Sequence, residues 1–503
     1  MDSRPQVVWF GKRPQDADIQ EAKNRGLEIH HVASGASPMF RHARAAVFWA
    51  TPPYLTTAAE QLSFYVNQAL DEGLYVHIVV GDEGAHDVMK SVLAEKVATS
   101  PVIDRTRIRI GSAGAHEALE SAARHSPGPG ANDDLIISLP EGIALRQDQV
   151  FILRRAFSDC KAITLQLLTG GKSGALTFYV DAVLAKSNAG PRPMPYFAKL
   201  DRPSHLAKEL ALYENYADNH IAWHLRPNFQ PSRCIYGVDQ GVLVGNFVES
   251  SRSLWDIARA GQGPRCIRSL FEETLAGWRS QAEQRTLQHS GSVVSALKDV
   301  CDHTRIPKRC VTGSETFGEV AKPRALWLGL LDLPHAPWRS SPMHGDMHGE
   351  NVRVRKGDAI VIDFAKATNG PMCADLASLE VWLAFQTPVL SSERPDKMAW
   401  KDCVDALYHP NTITDTFDSA AGYTAGSWIE ECVCEIRRIA KGICQSPDEY
   451  MRVLAVYLLR HASFQAEPAC QDEDEFRRSF AYWLANRMVK GLAENYSQLM
   501  EAA

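Results

Sequence analysis

The segment SPMHGDMHGENVRVRKGDAIVIDFAKA, residues 341–367, gathers the side chains best suited to chemistry. Asp346 lies in a polar turn, and Asn351 opens a strand-like run, NVRVR. After KGD, a natural tight turn, comes an apolar run, AIVIDF, ending at Asp363. Two strands joined in this way bring Asn351 and Asp363 to the same end of a hairpin. Their amide and carboxylate oxygens can there converge on one hard divalent cation. A third oxygen group, the Asp346 carboxylate, stands close enough to face an attacking hydroxyl. Phosphoryl transfer from a nucleotide needs this combination: a carboxylate toward the acceptor, and oxygen ligands for magnesium near the β- and γ-phosphates. His344 and His348 flank Asp346 and are read as braces of the loop; the rival is a zinc pair at H-x₃-H spacing on a helix.

Such chemistry needs elements that hold the phosphates. PYFAKLD places Lys199 on a strand, and PSHLAKELALYENYADNHI follows as a helix carrying Glu209 and Glu214. A strand lysine that meets phosphate oxygens must be held by a carboxylate, since burying it unpaired is costly. Glu209 is favoured because Leu210 and Tyr213 flank it on the packed side. Upstream, LLTGGKSGAL (167–176) poses its own question. A Walker P-loop needs glycine where Gln166 stands and a helix directly afterwards, yet ALTFYVDAV reads as a second strand. A strand, a glycine-rich turn and a strand is instead the arrangement that covers nucleotide phosphates in kinase-like folds, although taken alone it reads first as a plain hairpin turn. Gly170, Gly171 and Gly174 would admit them, with Lys172 and Ser173 at the tip. CIYGVDQGVLVGNFVESSRSLWDI (234–257) reads as a hairpin with an extended exit. In kinase-like folds such an exit binds adenine through backbone groups, here from Asn246 to Val248; an ordinary hairpin is the equal alternative.

The run His344-Gly345-Asp346-Met347-His348-Gly349-Glu350-Asn351, with Ile362-Asp363-Phe364 after it, resembles the aminoglycoside phosphotransferase and choline kinase superfamily. That family's catalytic loop reads H-G-D-x-H-x-x-N and is followed by I-D-F/W. The resemblance covers roughly residues 160–400. It implies a bilobal protein-kinase-like α+β fold with a mostly helical C-lobe, and ATP and Mg²⁺ as cofactors. Asp346 is then the catalytic base, and Asn351 and Asp363 are the metal ligands. Lys199, Glu209, the glycine loop and the hinge would hold the nucleotide, and Asp375 in MCADLASLE would support the loop. The acceptor would be a hydroxyl of a small molecule or a protein. Ordinary protein kinases differ, because here Ala365-Lys366 stands in place of the glycine after the metal-binding aspartate.

The first ~115 residues alternate strand-like runs (QVVWFG, LEIHHV, AAVFWA, LYVHIVVG, TRIRIG) with amphipathic segments, which implies a parallel sheet covered by helices. This small doubly wound α/β domain is similar in order and length to response-regulator receivers. It lacks their acidic cluster, because Gly11-Lys12 and Thr51-Pro52-Pro53 occupy the places of the carboxylates. Asp82 reads as a turn residue. A docking module for a protein partner is the expectation. The boundaries read as 1–124 for this domain, 125–134 for a Pro/Gly-rich linker, 135–250 for the N-lobe and 251–503 for the helical C-lobe. The rival to catalysis is a nucleotide-binding signalling or scaffold protein in a bacterial multi-component, possibly defence, system.

Composition sets the outer limits. The 503 residues carry a net charge of −6 with no dense Lys/Arg block, so no nucleic-acid footprint is evident. No apolar stretch is long enough to span a bilayer. MDSRPQVVWF lacks the charged-then-apolar order of a secretion signal. The eleven scattered cysteines read as reduced thiols of a cytoplasmic protein. The C-terminal acidic stretches EPACQDEDEFRRSF and GLAENYSQLMEAA could line a pocket for a cationic acceptor, although acidic helix faces are usually only solvated.

Overall fold

The computed structural model describes residues 6–502 apart from 34–35, 41–42, 51–58, 73, 82, 97–107, 112–113, 125–129, 169–173, 238–239, 286, 288–291 and 419–426. It divides into two compact units. One comprises residues 1–211 and 227–249, the other residues 212–226 and 250–503.

The first unit begins with five strands, β1 (Gln6–Phe10), β2 (Glu28–Val32), β3 (Ala43–Ala50), β4 (Tyr75–Val80) and β5 (Ile108–Gly111). They form a wholly parallel sheet in the order β2-β1-β3-β4-β5. Consecutive side chains along a strand point to opposite faces, so the continuous apolar runs feed two cores. Val8, Phe10, Phe48 and Ile78 pack against Leu62, Tyr65 and Val66 of the helix Ala59–Asp71. Val7, Trp9, Val47 and Tyr75 pack against Ala118, Leu119 and Ala122 of the helix Ala115–Arg124. Where β1 ends, Lys12 lies 5.0 Å from the Trp49 ring centre, and the Trp9 indole N–H donates to the Lys12 carbonyl. Thr51, Pro52, Pro53 and Asp82 lie outside the described residues.

A second sheet follows within the same unit: β6 (Ile136–Ser138), β7 (Cys160–Leu167), β8 (Leu176–Leu184), β9 (Tyr196–Asp201), β10 (Ile235–Tyr236) and β11 (Gly241–Asn246). Its order is β10-β11-β9-β8-β7-β6, antiparallel except for the β6–β7 pair. The period-2 burial of AITLQL and YFAKLD turns Ile163, Leu165, Ala198 and Leu200 onto the helix Gln147–Ala156. Lys199 is consequently on the other face.

The second unit is mostly helical. Its centre is the helix Ala374–Phe385, buried on nearly every side, with the helices Trp428–Lys441, Pro447–Ser463 and Gln471–Ala502 among its neighbours. Inside it, Arg437 and Glu380 are both fully buried and pair at 2.8 Å, and the Tyr450 hydroxyl donates to the second Glu380 oxygen at 2.7 Å. Five short strands carry the loops that matter: β12 (Arg252–Ser253), β13 (Ser340–Met343), β14 (Val352–Arg355), β15 (Asp358–Val361) and β16 (Thr368–Pro371). The strands β12, β14 and β15 form one antiparallel sheet, and β13 pairs with β16.

Candidate active site

The hairpin forms as the sequence suggests, and its turn explains why. Lys356 and Gly357 have φ of 56° and 99°, the pair of positive values a two-residue turn between twisted strands requires. Val352 pairs with Val361, and one step further the Ile362 N–H donates to the Asn351 carbonyl at 2.9 Å. Asn351 and Asp363 therefore leave the hairpin at the same end. Asp363 has a φ of 62°, a left-handed conformation that asparagine and aspartate tolerate better than most side chains.

Asp346 is tied to this end through its backbone: the Asn351 side-chain amide donates to the Asp346 carbonyl at 3.0 Å. The Asn351 amide oxygen and the Asp363 carboxylate, one oxygen of which also accepts the Ala365 N–H at 3.4 Å, are hard oxygen donors of the kind magnesium takes in preference to softer ligands. Asp375, at the start of the central helix, holds the loop from behind. Its two oxygens accept the backbone N–H groups of His344 at 2.7 Å and Gly345 at 3.2 Å. Burial pushes the Asp375 carboxyl up, and His344 and the two N–H donors draw it back only in part. Gly345 has a φ of 75°, and a Cβ there would collide with the Lys366 carbonyl, so no larger residue fits this bend.

The two histidines brace the loop. The His344 ring meets the Ile362 carbonyl at 3.0 Å and sits edge-on to Phe364. His348 stacks on Trp382, the rings 5.5 Å apart and 24° from parallel. Burial pushes the His348 imidazole down to about 4, although Asp346 opposes the shift. A neutral ring packed in this way supports the loop.

One partner of the site gave no signal in the sequence. Arg460, from the helix Pro447–Ser463, donates to Asp346 Oδ1 at 2.6 Å, and Lys366 donates to Oδ2 at 2.9 Å. Burial alone would raise the Asp346 carboxyl, but Arg460 and Lys366, with His348, outweigh it and hold it well below the usual carboxylate range. A lone arginine on an amphipathic helix is normally a solvated charge, which is why its role could not be read.

In the first unit, Lys199 Nζ and Glu209 Oε2 are 2.7 Å apart, with side-chain exposures of 13% and 8%. Glu214 instead falls in the π-helical turn Glu214–Asp218. Asn246 ends β11, and its backbone N–H donates to the Asn228 carbonyl while its side chain accepts from Gln230. The next N–H, of Phe247, donates to the Pro195 carbonyl. A base at this exit would have to use other atoms, and Val248 follows half-buried. Gly174 has a φ of 76° and open space where a Cβ would stand. Gly170, Gly171, Lys172 and Ser173 lie outside the described residues.

Residues 271–402, which contain the whole loop and hairpin, match the phosphotransferase enzyme family. Over these residues the chain is similar to that family. Arg460 and the Lys199–Glu209 pair lie outside the matched stretch. No curated protein matches the chain. Among solved structures it is similar to a putative fructosamine-3-kinase from Thermobifida fusca, with 14% identity, 65% of this chain and 97% of that one covered, and a TM-score of 0.34. It is also similar to the amicoumacin kinase hAmiN, with 10% identity, 63% and 87% covered, and a TM-score of 0.33. A third is a choline/ethanolamine kinase family protein from Mesorhizobium loti, with 12% identity, 64% and 92% covered, and a TM-score of 0.33.

Two aromatic runs of this unit are core: Trp382 packs against Trp255 and His348, and Phe480 lies against Trp400. At the acidic start of the last helix, Glu473 pairs with Arg477 and Asp474 with Arg478, while Glu475 pairs with Arg309. No described helix is long and apolar enough to cross a membrane.

Proposed function

We propose that this protein is an ATP- and Mg²⁺-dependent phosphotransferase that moves the γ-phosphoryl group to a hydroxyl of a small molecule or a protein. The observation that carries the reading is the hairpin end, where Asn351 and Asp363 emerge together and the Asn351 amide grips the loop that presents Asp346. Asp346 accepts the acceptor O–H proton as that oxygen bonds to the γ-phosphorus. The bond between the γ-phosphorus and the β,γ-bridging oxygen then breaks, and ADP leaves with that electron pair. Asn351 and Asp363 would hold magnesium, which supplies charge neutralisation at the phosphates. By the same reading Lys199, steadied by Glu209, is the residue for the α/β-phosphates, Gly170, Gly171 and Gly174 are the glycines that would admit them, and the Asn246–Val248 exit is the place for the adenine. Held between two cations, Asp346 mainly orients the hydroxyl and takes its proton only late in the transfer, which suits a loose transition state.

The N-terminal part we read as a receiver-like docking module for a protein partner. The five-strand parallel order, with Lys12 over Trp49 where an acidic pair would be needed, supports that reading. The test is to incubate wild type and Asp346→Asn with Mg²⁺ and γ-labelled ATP in a metabolite and protein extract. Transfer by wild type alone supports the enzyme. Nucleotide binding without transfer in both would favour the nucleotide-gated scaffold.

A further inference from the structure

Two cations share the one carboxylate at the base. Arg460 spends a single N–H on Asp346; among the described residues its guanidinium makes no second hydrogen bond. It lies instead 5.8 Å and 5.5 Å from the rings of Tyr457 and Phe464. Lys366 likewise donates only to Asp346 among the described residues, and its side chain is 59% exposed against 11% for Arg460. Guanidinium has five N–H donors and ammonium three, so this pair carries far more donor capacity than one carboxylate absorbs. The formal charge of the trio is positive. Of the neighbouring carboxylates, Asp375 is already committed to two backbone N–H groups, and Asp363 is the one assigned to the metal.

An acceptor hydroxyl that reaches Asp346 must therefore approach between a lysine and an arginine. An ammonium group beside that hydroxyl would be repelled, while a carboxylate or phosphate would find unspent donors, two of them on the planar fork that suits oxyanions. In the acidic helix that a cationic acceptor would use, Glu473 and Asp474 are paired to the helix's own Arg477 and Arg478. We propose that Arg460 and Lys366 form an oxyanion-binding pair beside the base, and that the acceptor is an alcohol carrying an anionic group close to the reacting hydroxyl. This rests on the phosphotransferase reading. The γ-phosphoryl group of the nucleotide is the other source of the same oxyanion chemistry.

The test uses the full chain with γ-labelled ATP and a matched set of acceptors: glycerate and glycerol 3-phosphate, glycerol, and choline with an aminoglycoside. Wild type is compared with Arg460→Gln and Arg460→Lys. The expected result is a kcat/KM for the anionic alcohols at least about tenfold above glycerol. Arg460→Gln should lower that ratio by about tenfold or more, and Arg460→Lys should restore part of it. Transfer that prefers choline, the aminoglycoside or glycerol, or a ratio unmoved by Arg460→Gln, overturns the inference and leaves the phosphotransferase standing. Absence of transfer from ATP to any acceptor counts against the phosphotransferase itself. A binding arm then decides the pair: inorganic phosphate is titrated calorimetrically into protein with and without saturating Mg²⁺ and a non-hydrolysable ATP analogue. Binding in the presence of the analogue, weakened about tenfold by Arg460→Gln, supports an acceptor subsite. Binding only in its absence assigns the pair to the γ-phosphoryl group, and no binding in either overturns the site.

Discussion

Asp375→Asn should loosen the catalytic loop while leaving every loop residue in place. The carboxylate takes two buried N–H groups, from His344 at 2.7 Å and Gly345 at 3.2 Å. Asparagine can satisfy only one of them and turns its own NH₂ toward the other. One charge-assisted hydrogen bond is lost, about 2 kcal/mol, and one buried donor goes unpaired, about 2 kcal/mol. Relief of the buried charge offsets part of this, since burial already pushes the Asp375 carboxyl up. A net weakening of about 3 kcal/mol is expected, which corresponds to roughly a hundredfold faster local opening. Amide hydrogen exchange of the peptide spanning 341–349, read by mass spectrometry at neutral pH, measures this directly. Exchange in the β7–β9 strands of the first unit is the internal control and should not change. Acceleration of less than about threefold in the loop peptide would refute the reasoning, because the loop would then be held by something other than this carboxylate.

Lys199→Ala should impair nucleotide binding far more than Lys172→Ala, as measured by calorimetry with ATP; the reverse ranking would revive a P-loop reading of residues 167–176. Glu380→Ala leaves Arg437 buried without its partner and should lower stability by about 3–5 kcal/mol in urea unfolding. His348 is pushed down to about 4 from 6.5 by burial. The unfolded chain therefore binds the proton first, and stability is lost as pH falls from about 6.5 toward about 4. His348→Gln should flatten that part of the profile by up to about 3 kcal/mol. Glu449, pushed up to about 7 by burial, acts in the opposite sense: it favours the folded state at low pH, and stability is lost as pH rises from about 4.5 to about 7. Glu449→Gln should therefore remove a component of opposite sign from the same titration.

What could be read in the sequence was short-range. Asn351 and Asp363 share a hairpin, and Lys199 and Glu209 share a strand–helix step, so periodicity and turn residues place each pair. The N-terminal alternation gave the parallel sheet, because each strand's apolar run and each helix's stripe are local properties. Arg460 is 114 positions from Asp346. Nothing in the run VYLLRHAS distinguishes a buried ion-pair partner from a solvated helix charge; only the packing of that helix decides it. Lys366 was visible only as a departure from a familiar triplet. The hinge hydrogen bonds were hidden for a related reason, since the Asn228 carbonyl that engages Asn246 comes from an irregular segment with no periodic signature.

The ion pair between Arg460 and Asp346 also has a consequence in time. During synthesis, the loop and hairpin emerge from the ribosome roughly a hundred residues before the helix that carries Arg460. Until that helix folds, Asp346 has Lys366 alone as a counter-charge, and the central helix Ala374–Phe385 lacks much of its cover. The charge balance of the base is thus a late product of folding. A nascent or C-terminally clipped chain displays all of the recognisable sequence motif without the electrostatic setting that goes with it.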